Sequence, residues 1–234
     1  MNKKFFLPGT DKQLKFLLDR IDLKDYKVLI LGPGCEEISK QFLANGVSRV
    51  LIIVNNEDSL LITRLNLAGI KEITVRLMQF EDTDFKDSQF DLVYAQGSIS
   101  GFNRNKILKE IKRILKPSCY FCAGEIVSLT KSPPRFVKDI WKNSDVSPLF
   151  SDDLENYYRE RNFEVISSDD ISDTLFDFYR MSNDLMKEKS GGLTVEEKSY
   201  YKKLLKQISH ESNVYLKLGG NVHIGFKVLI LKKV

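Results

Sequence analysis

At 234 residues, 42% of them apolar and 29% charged, the chain has the size and composition of one α/β domain with an insertion, enough to bury a sizeable core. A net charge of +4 is only mildly basic, and no apolar run approaches the roughly 18–20 residues of a membrane span. Three cysteines do not make a disulfide framework at this length.

The N-terminus, MNKKFFLPGTDKQ, starts basic, but its apolar run breaks at Pro8-Gly9. That is too short for a signal-peptide core and implies a cytoplasmic protein. From Tyr26 to about Ile126, short apolar runs alternate with amphipathic stretches, the pattern of repeated βα units. Strands are predicted at Lys27–Leu31, Arg49–Val54, Ile73–Leu77, Phe90–Ala95 and Tyr120–Ile126. Their near-continuous apolar character argues for parallel strands covered on both faces. Helices are predicted over Glu36–Ala44, Glu57–Ala68 and Asn103–Leu115, the last ended by Lys116-Pro117. In KILKEIKRILK (Lys106–Lys116) the apolar residues recur at helical spacing, so its lysines form a solvated face; RNA binding by that stripe is weakly signalled.

After Pro133-Pro134 comes a looser stretch, then a helix over Asp152–Arg161 and a strand Phe163–Ser167. Thr174–Asn213 reads as two helices broken at Gly191-Gly192. The second opens on the capping pair Thr194 and Glu197 and carries an apolar stripe of Tyr201, Leu204, Leu205 and Ile208. Alternation over Val222–Leu231 predicts a final strand. CYFC (Cys119–Cys122) has metal-ligand spacing, but no second ligand pair accompanies it and its flanks read as a buried strand, so no metal site is assigned.

The first strand runs into Gly32-Pro33-Gly34 and then a helix. Two glycines permit a sharp turn and a close approach to a ligand at the carboxyl ends of the strands. Two ligand classes compete for such a turn. A dinucleotide would place its pyrophosphate on the helix N-terminus, where Glu36 and Glu37 would repel it. S-adenosylmethionine (SAM) carries a sulfonium and an ammonium, which carboxylates tolerate or attract.

VLILGPGCEEISKQF (Val28–Phe42) resembles the first motif of the class I SAM-dependent methyltransferases. EDTDFKDSQFDLVYAQGSI (Glu81–Ile99) is similar to their segment joining the third and fourth strands, and LKEIKRILKP (Leu108–Pro117) to the helix and Lys-Pro turn before their fifth. FSDDLENYYRERNFEVISSDDIS (Phe150–Ser172) resembles a helix–strand unit of small-molecule members, and FLPGTDKQLKFLL (Phe6–Leu18) a Pro-Gly segment before the core of some bacterial ones. The resemblance implies a Rossmann-like seven-stranded sheet ordered 3-2-1-4-5-7-6 with an antiparallel last strand and a helical insertion before it. Residues 1–234 would form a single methyltransferase-like domain, with 1–25 an N-terminal helical segment and 174–213 a lid over the acceptor.

Carried over residue by residue, the resemblance implies that Gly32, Pro33 and Gly34 pass under the methionine end of SAM. Asn55 would meet the ribose hydroxyls, Gln79 and Phe80 would recognise adenine, and Gln96 would lie near the methionine end and the acceptor. The sequence departs from the family pattern at Ile30, Glu36, Asn55 and Gln79. Neutral Asn55 and Gln79 accept hydrogen bonds without charge, a loss of about 1–3 kcal/mol for the two contacts together.

Methyl transfer from a sulfonium to an organic acceptor needs alignment and desolvation, and a base only where the acceptor keeps a proton. No catalytic residue is therefore assigned. His210 is a possible base or a surface residue, His223 reads as structural, and Tyr179, Tyr200 and Tyr201 either line a pocket or pack. AQGSIS (Ala95–Ser100) lacks the Asn/Asp-Pro-Pro-aromatic motif of nucleic-acid amino-group methyltransferases. Three functions stand: SAM-dependent methyl transfer to a small organic acceptor, releasing S-adenosylhomocysteine; a non-catalytic SAM-fold binding module; and an RNA-directed methyltransferase.

Overall fold

The computed structural model describes residues 7–188 and 210–234. In chain order the elements are α1 (Lys12–Leu18), β1 (Lys27–Leu31), α2 (Glu36–Ala44), β2 (Arg49–Val54), α3 (Glu57–Asn66), β3 (Ile73–Leu77), β4 (Phe90–Gln96), α4 (Arg104–Ile114), β5 (Leu115–Ser128), α5 (Arg135–Asn143), β6 (Leu149–Phe150), α6 (Leu154–Arg159), β7 (Phe163–Asp170), α7 (Thr174–Glu188) and β8 (Ile224–Lys233). Residues 210–217 form a further helix, α8. The Gly191-Gly192 break, the Thr194 and Glu197 cap, Tyr200 and the Tyr201–Ile208 stripe lie outside the described residues.

The sheet runs β3-β2-β1-β4-β5-β8-β7, the order the resemblance implies once the two-residue β6 is set aside. β1 to β5 are mutually parallel, and β8 runs antiparallel between β5 and β7. The apolar strand runs become parallel strands because both faces are covered. Val28, Ile30, Val50, Ile52 and Tyr94 face a layer holding Phe42 of α2, Leu17 of α1, Trp141 of α5 and Leu175 of α7. Leu29, Leu31, Leu51, Ile53 and Val93 face Ile107 and Ile111 of α4 and Tyr158 of α6. Ile111 is fully buried, which contributes about 1.5–3 kcal/mol.

Several boundaries differ from the sequence reading. β7 runs on to Asp170 rather than ending at Ser167, and β8 spans Ile224–Lys233 rather than Val222–Leu231, Val222 lying in a short 3-10 turn. β5 starts at Leu115, not Tyr120, because Leu115 pairs Phe90 before Ser118 (φ 60°) bulges out and pairing resumes at Leu92 and Tyr120. The stretch after Pro133-Pro134 contains α5, whose Val137, Ile140 and Trp141 are buried at helical spacing. There the prolines precede a helix, with Pro134 at its N-cap. β5 also overshoots β4: β4 pairs it up to Gly124, and β6 takes the same edge at Val127–Ser128.

Cys119 and Cys122 both lie on β5, and an odd spacing on a strand sends them to opposite faces. Burial pushes the Cys122 thiol up to about 12. The spacing that suggested a ligand pair therefore separates the two sulfurs.

Candidate active site at the carboxyl ends of β1 and β4

Chain direction along the sheet reverses between β1 and β4: β2 and β3 lie beyond β1, β5 beyond β4. α2, after β1, covers one face and α4, after β4, the other. The helices leave to opposite faces there, which makes this the topological switch point at which open α/β sheets form a ligand crevice. Both turns are made by glycine with positive φ: Gly32 at 111° and Gly34 at 78° after β1, Gly97 at 74° after β4. The turns interlock, since Ser98 Oγ donates to the Leu31 carbonyl at 2.6 Å. A Cβ on Gly32 would stand 2.8 Å from that of Ser98, so no larger residue fits.

Parallel pairing brings the ends of β2 and β3 to the same edge. Asn55, just past β2, is exposed, and its Oδ1 accepts from Asn56 Nδ2 at 3.2 Å. Asn56 is the N-cap of α3, accepting from the Ser59 N–H at 2.9 Å, which fixes the chain just after Asn55. Gln79 is exposed past β3, while Phe80 is buried in the layer with Leu31 and Ile53. Gly32 to Gly34, Asn55 and Gln79 thus share one edge of the sheet. Glu36 and Glu37 occupy the first turn of α2, and Glu36 accepts from Asn66 Nδ2 at 3.4 Å. Two carboxylates at this helix start disfavour a phosphate and suit a cation.

Gln96 reaches the crevice, but its side chain is committed. Its Nε2 donates to the carbonyls of Pro8 and Thr10, each at 2.8 Å, and its Oε1 accepts from the Tyr94 hydroxyl at 2.5 Å. Gln96 therefore holds the N-terminal segment in place, a role its position at the end of β4 does not reveal. Gln13 of α1 assists by donating to the Ala95 carbonyl at 2.9 Å. Leu7 and Pro8 consequently lie over the two turns: a Cβ on Gly34 would be 3.3 Å from Leu7 Cδ2, and one on Gly97 2.6 Å from Pro8 Cγ.

α5, α7 and α8 pack together in the core layer that covers the α2 face of the sheet. Tyr179 is buried, 4.7 Å from the Tyr215 ring, and its hydroxyl donates to Glu211 Oε2 at 3.2 Å. Burial raises the Glu211 carboxyl above its ordinary value, against the hydrogen bonds from Ser144 and Tyr179. His210 is exposed, and His223 Nδ1 sits 3.0 Å from Thr130 Oγ1 with its ring edge-on to Phe136. Sequence reading missed Glu211 and the buried Arg104–Glu125–Tyr158 group. There Arg104 Nε donates to Glu125 at 2.9 Å and Tyr158 Oη at 2.5 Å, tying α4 and α6 to β5. The basic stripe of α4 is partly spent on structure, as Lys112 donates to the Arg161 carbonyl and Arg113 to Glu110 and Asp87. No helix among the described residues is long and apolar enough to cross a membrane.

Residues 29–123 match the family model described as a methyltransferase domain. The [4+2]-cyclase SpnF has the same fold, with a TM-score of 0.75 at 16% identity over 95% of this chain and 80% of that one. A putative sarcosine dimethylglycine methyltransferase from Galdieria sulphuraria gives 0.73 at 16% identity, over 95% and 84%. A geranyl diphosphate methyltransferase in complex with SAM gives 0.69 at 11% identity, over 96% and 85%. No curated protein sequence matches the chain. The fold is that of these solved SAM-dependent methyltransferases, and residues 29–123 are similar to the methyltransferase-domain family.

Proposed function

We propose that the protein transfers a methyl group from SAM to a small organic acceptor at the β1/β4 crevice. The observation that carries this is the Gly32-Pro33-Gly34 turn at the switch point, followed by a helix whose first turn bears Glu36 and Glu37. Such a turn allows close approach of a ligand, and the two carboxylates favour a cationic one over a pyrophosphate. Gly34 would pass beneath the methionine end, Asn55 would accept from the ribose hydroxyls, and Gln79 with the Phe80 N–H would meet adenine. Bound SAM supplies an electrophilic methyl group on its sulfonium.

In this reading Gln96 is a positioning residue. It fastens Leu7 and Pro8 over the crevice, where they exclude water from the reacting centre. Residues 1–25 and 174–213 complete one domain with the sheet. Leu175, Phe178 and Tyr179 of α7 pack in the same core layer as α1 and α2, which supports that arrangement. The small acceptor is supported by solved relatives named for sarcosine, geranyl diphosphate and phosphoethanolamine.

The second reading, a non-catalytic binding module of the same fold, rests on Leu7 and Pro8 standing where a ligand would approach Gly34 and Gly97. Thermal shift separates ligand classes: SAM and S-adenosylhomocysteine raise the melting temperature and NAD does not. Equal stabilisation by NAD would sink the SAM assignment. Saturable SAM binding without transfer of label to any pool of small acceptors would favour the second reading.

A further inference from the structure

At the opposite edge of the sheet, the amino ends of β1, β2 and β3 open into a cavity of about 400 Å³. It exists because no helix follows β3: residues 78–89 run without one, and Phe80 and Phe85 cover that sheet face instead. Lys27, Arg49, Arg76 and Lys86 line the cavity, against the single lining carboxylate Asp84, which Arg76 engages. Among the described residues, Lys27, Arg49 and Lys86 have no ion-pair partner.

Lys27 shows why that matters. It is half-buried, with its ammonium 5.1 Å from the centre of the Phe90 ring. The nearby carboxylate, Asp91, is already taken: one oxygen accepts from Lys116 Nζ at 2.6 Å, the other from the backbone N–H of Lys27 at 3.0 Å. Burial, then the Arg49 and Lys116 charges, hold the Lys27 ammonium below its ordinary value, against some relief from Asp91. Arg49 and Lys86 are exposed at the rim and Lys27 lies deeper, and positive charge gathered at a concave surface draws anions. Leu51 and Phe85 supply apolar surface, and Thr74 and Gln89 neutral hydrogen-bonding groups. The Gln89 Oε1 accepts from the Lys86 N–H at 2.9 Å, leaving its amide NH₂ to donate.

We propose that this cavity binds a small organic phosphate ester of at least two negative charges, its phosphates on Lys27, Arg49 and Lys86 and its body against Leu51 and Phe85. The site is separate from the crevice, because parallel strands put their amino and carboxyl ends on opposite edges. Its volume lies at the small end of the ~300–1,000 Å³ of ligand pockets, the size of a mononucleotide. An extended RNA strand suits it less, since its backbone calls for cations along a groove rather than gathered in one cavity.

Calorimetric titration of the full chain with ATP, tripolyphosphate and adenosine tests this. ATP and tripolyphosphate should bind saturably and more weakly as salt rises, adenosine should not, and excess S-adenosylhomocysteine should displace neither. Lys27→Met and Arg49→Gln should each weaken binding about tenfold, as expected for a lost charge-assisted contact. Lys27→Met should also raise the melting temperature of the ligand-free protein by removing a crowded charge, which shows that the variant folds. Absence of saturable binding, binding unchanged by both substitutions, or binding confined to an RNA oligonucleotide would each overturn the proposal.

Discussion

Gln96 and Pro8 are joined by a hydrogen bond of 2.8 Å across 88 positions of chain, and this contact lays the N-terminal segment over the β1/β4 crevice. Gln96 is 3% exposed, so neither it nor the carbonyls it satisfies has ready access to replacement water.

Gln96→Leu should therefore cost about 2–3 kcal/mol, because two carbonyls and the Tyr94 hydroxyl lose their partner together. Urea unfolding measures the loss, and hydrogen exchange locates it: amides of residues 7–13 should exchange faster while β1 and β4 keep their protection. Unchanged exchange there would mean that apolar contacts alone hold the segment.

Gly124 meets the same segment from β5. A Cβ at this position would lie 1.8 Å from Gln13 Oε1, and Gln13 is fully buried. Gly124→Ala should destabilise by about 1–3 kcal/mol through overpacking. Adding Gln13→Ala should return part of that loss, giving a coupling of more than about 0.5 kcal/mol in the double-mutant cycle. Additive losses would place the strain elsewhere.

Asn55 is exposed at the end of β2, so an aspartate there keeps most of its hydration. With SAM in the proposed orientation, Asn55→Asp should tighten binding by about 1 kcal/mol, a factor of roughly five, less whatever Glu57 and Asp58 repel. Asn55→Leu should weaken it, since both hydroxyls lose their acceptor. Identical affinities in the three proteins, read by calorimetry, would move the ribose away from β2.

Acid should destabilise the loop before β4. Burial alone would raise the Glu110 carboxyl, but hydrogen bonds from the Arg113 guanidinium and from Thr83 prevail and hold it below its ordinary value. A carboxylate lowered in the folded state contributes stability that is complete above its unfolded pKa of about 4.3 and lost as pH falls through the lower folded value. Melting temperatures should drop below about pH 4, and Glu110→Gln should flatten that drop while lowering stability at neutral pH by about 1–2 kcal/mol. Equal acid slopes in both proteins would assign the loss to other carboxylates.

The sequence by itself determined the elements whose signal is local. The bounds of β1, β2, β3 and α2 follow from apolar runs and helical spacing within each segment, and the strand order from the resemblance these motifs carry. Tertiary structure decided what depends on partners distant in the chain. Gln96 had a visible place at the end of β4, but only the folded N-terminal segment shows that its amide is spent on Pro8 and Thr10. The start of β5 was set by pairing with Phe90, and α5 by a layer to bury Val137 and Trp141 in. The cationic cavity arises from four separate segments that converge where no helix follows β3. Periodicity states which face of an element is apolar, whereas hydrogen-bond partners and cavities are properties of the packed whole.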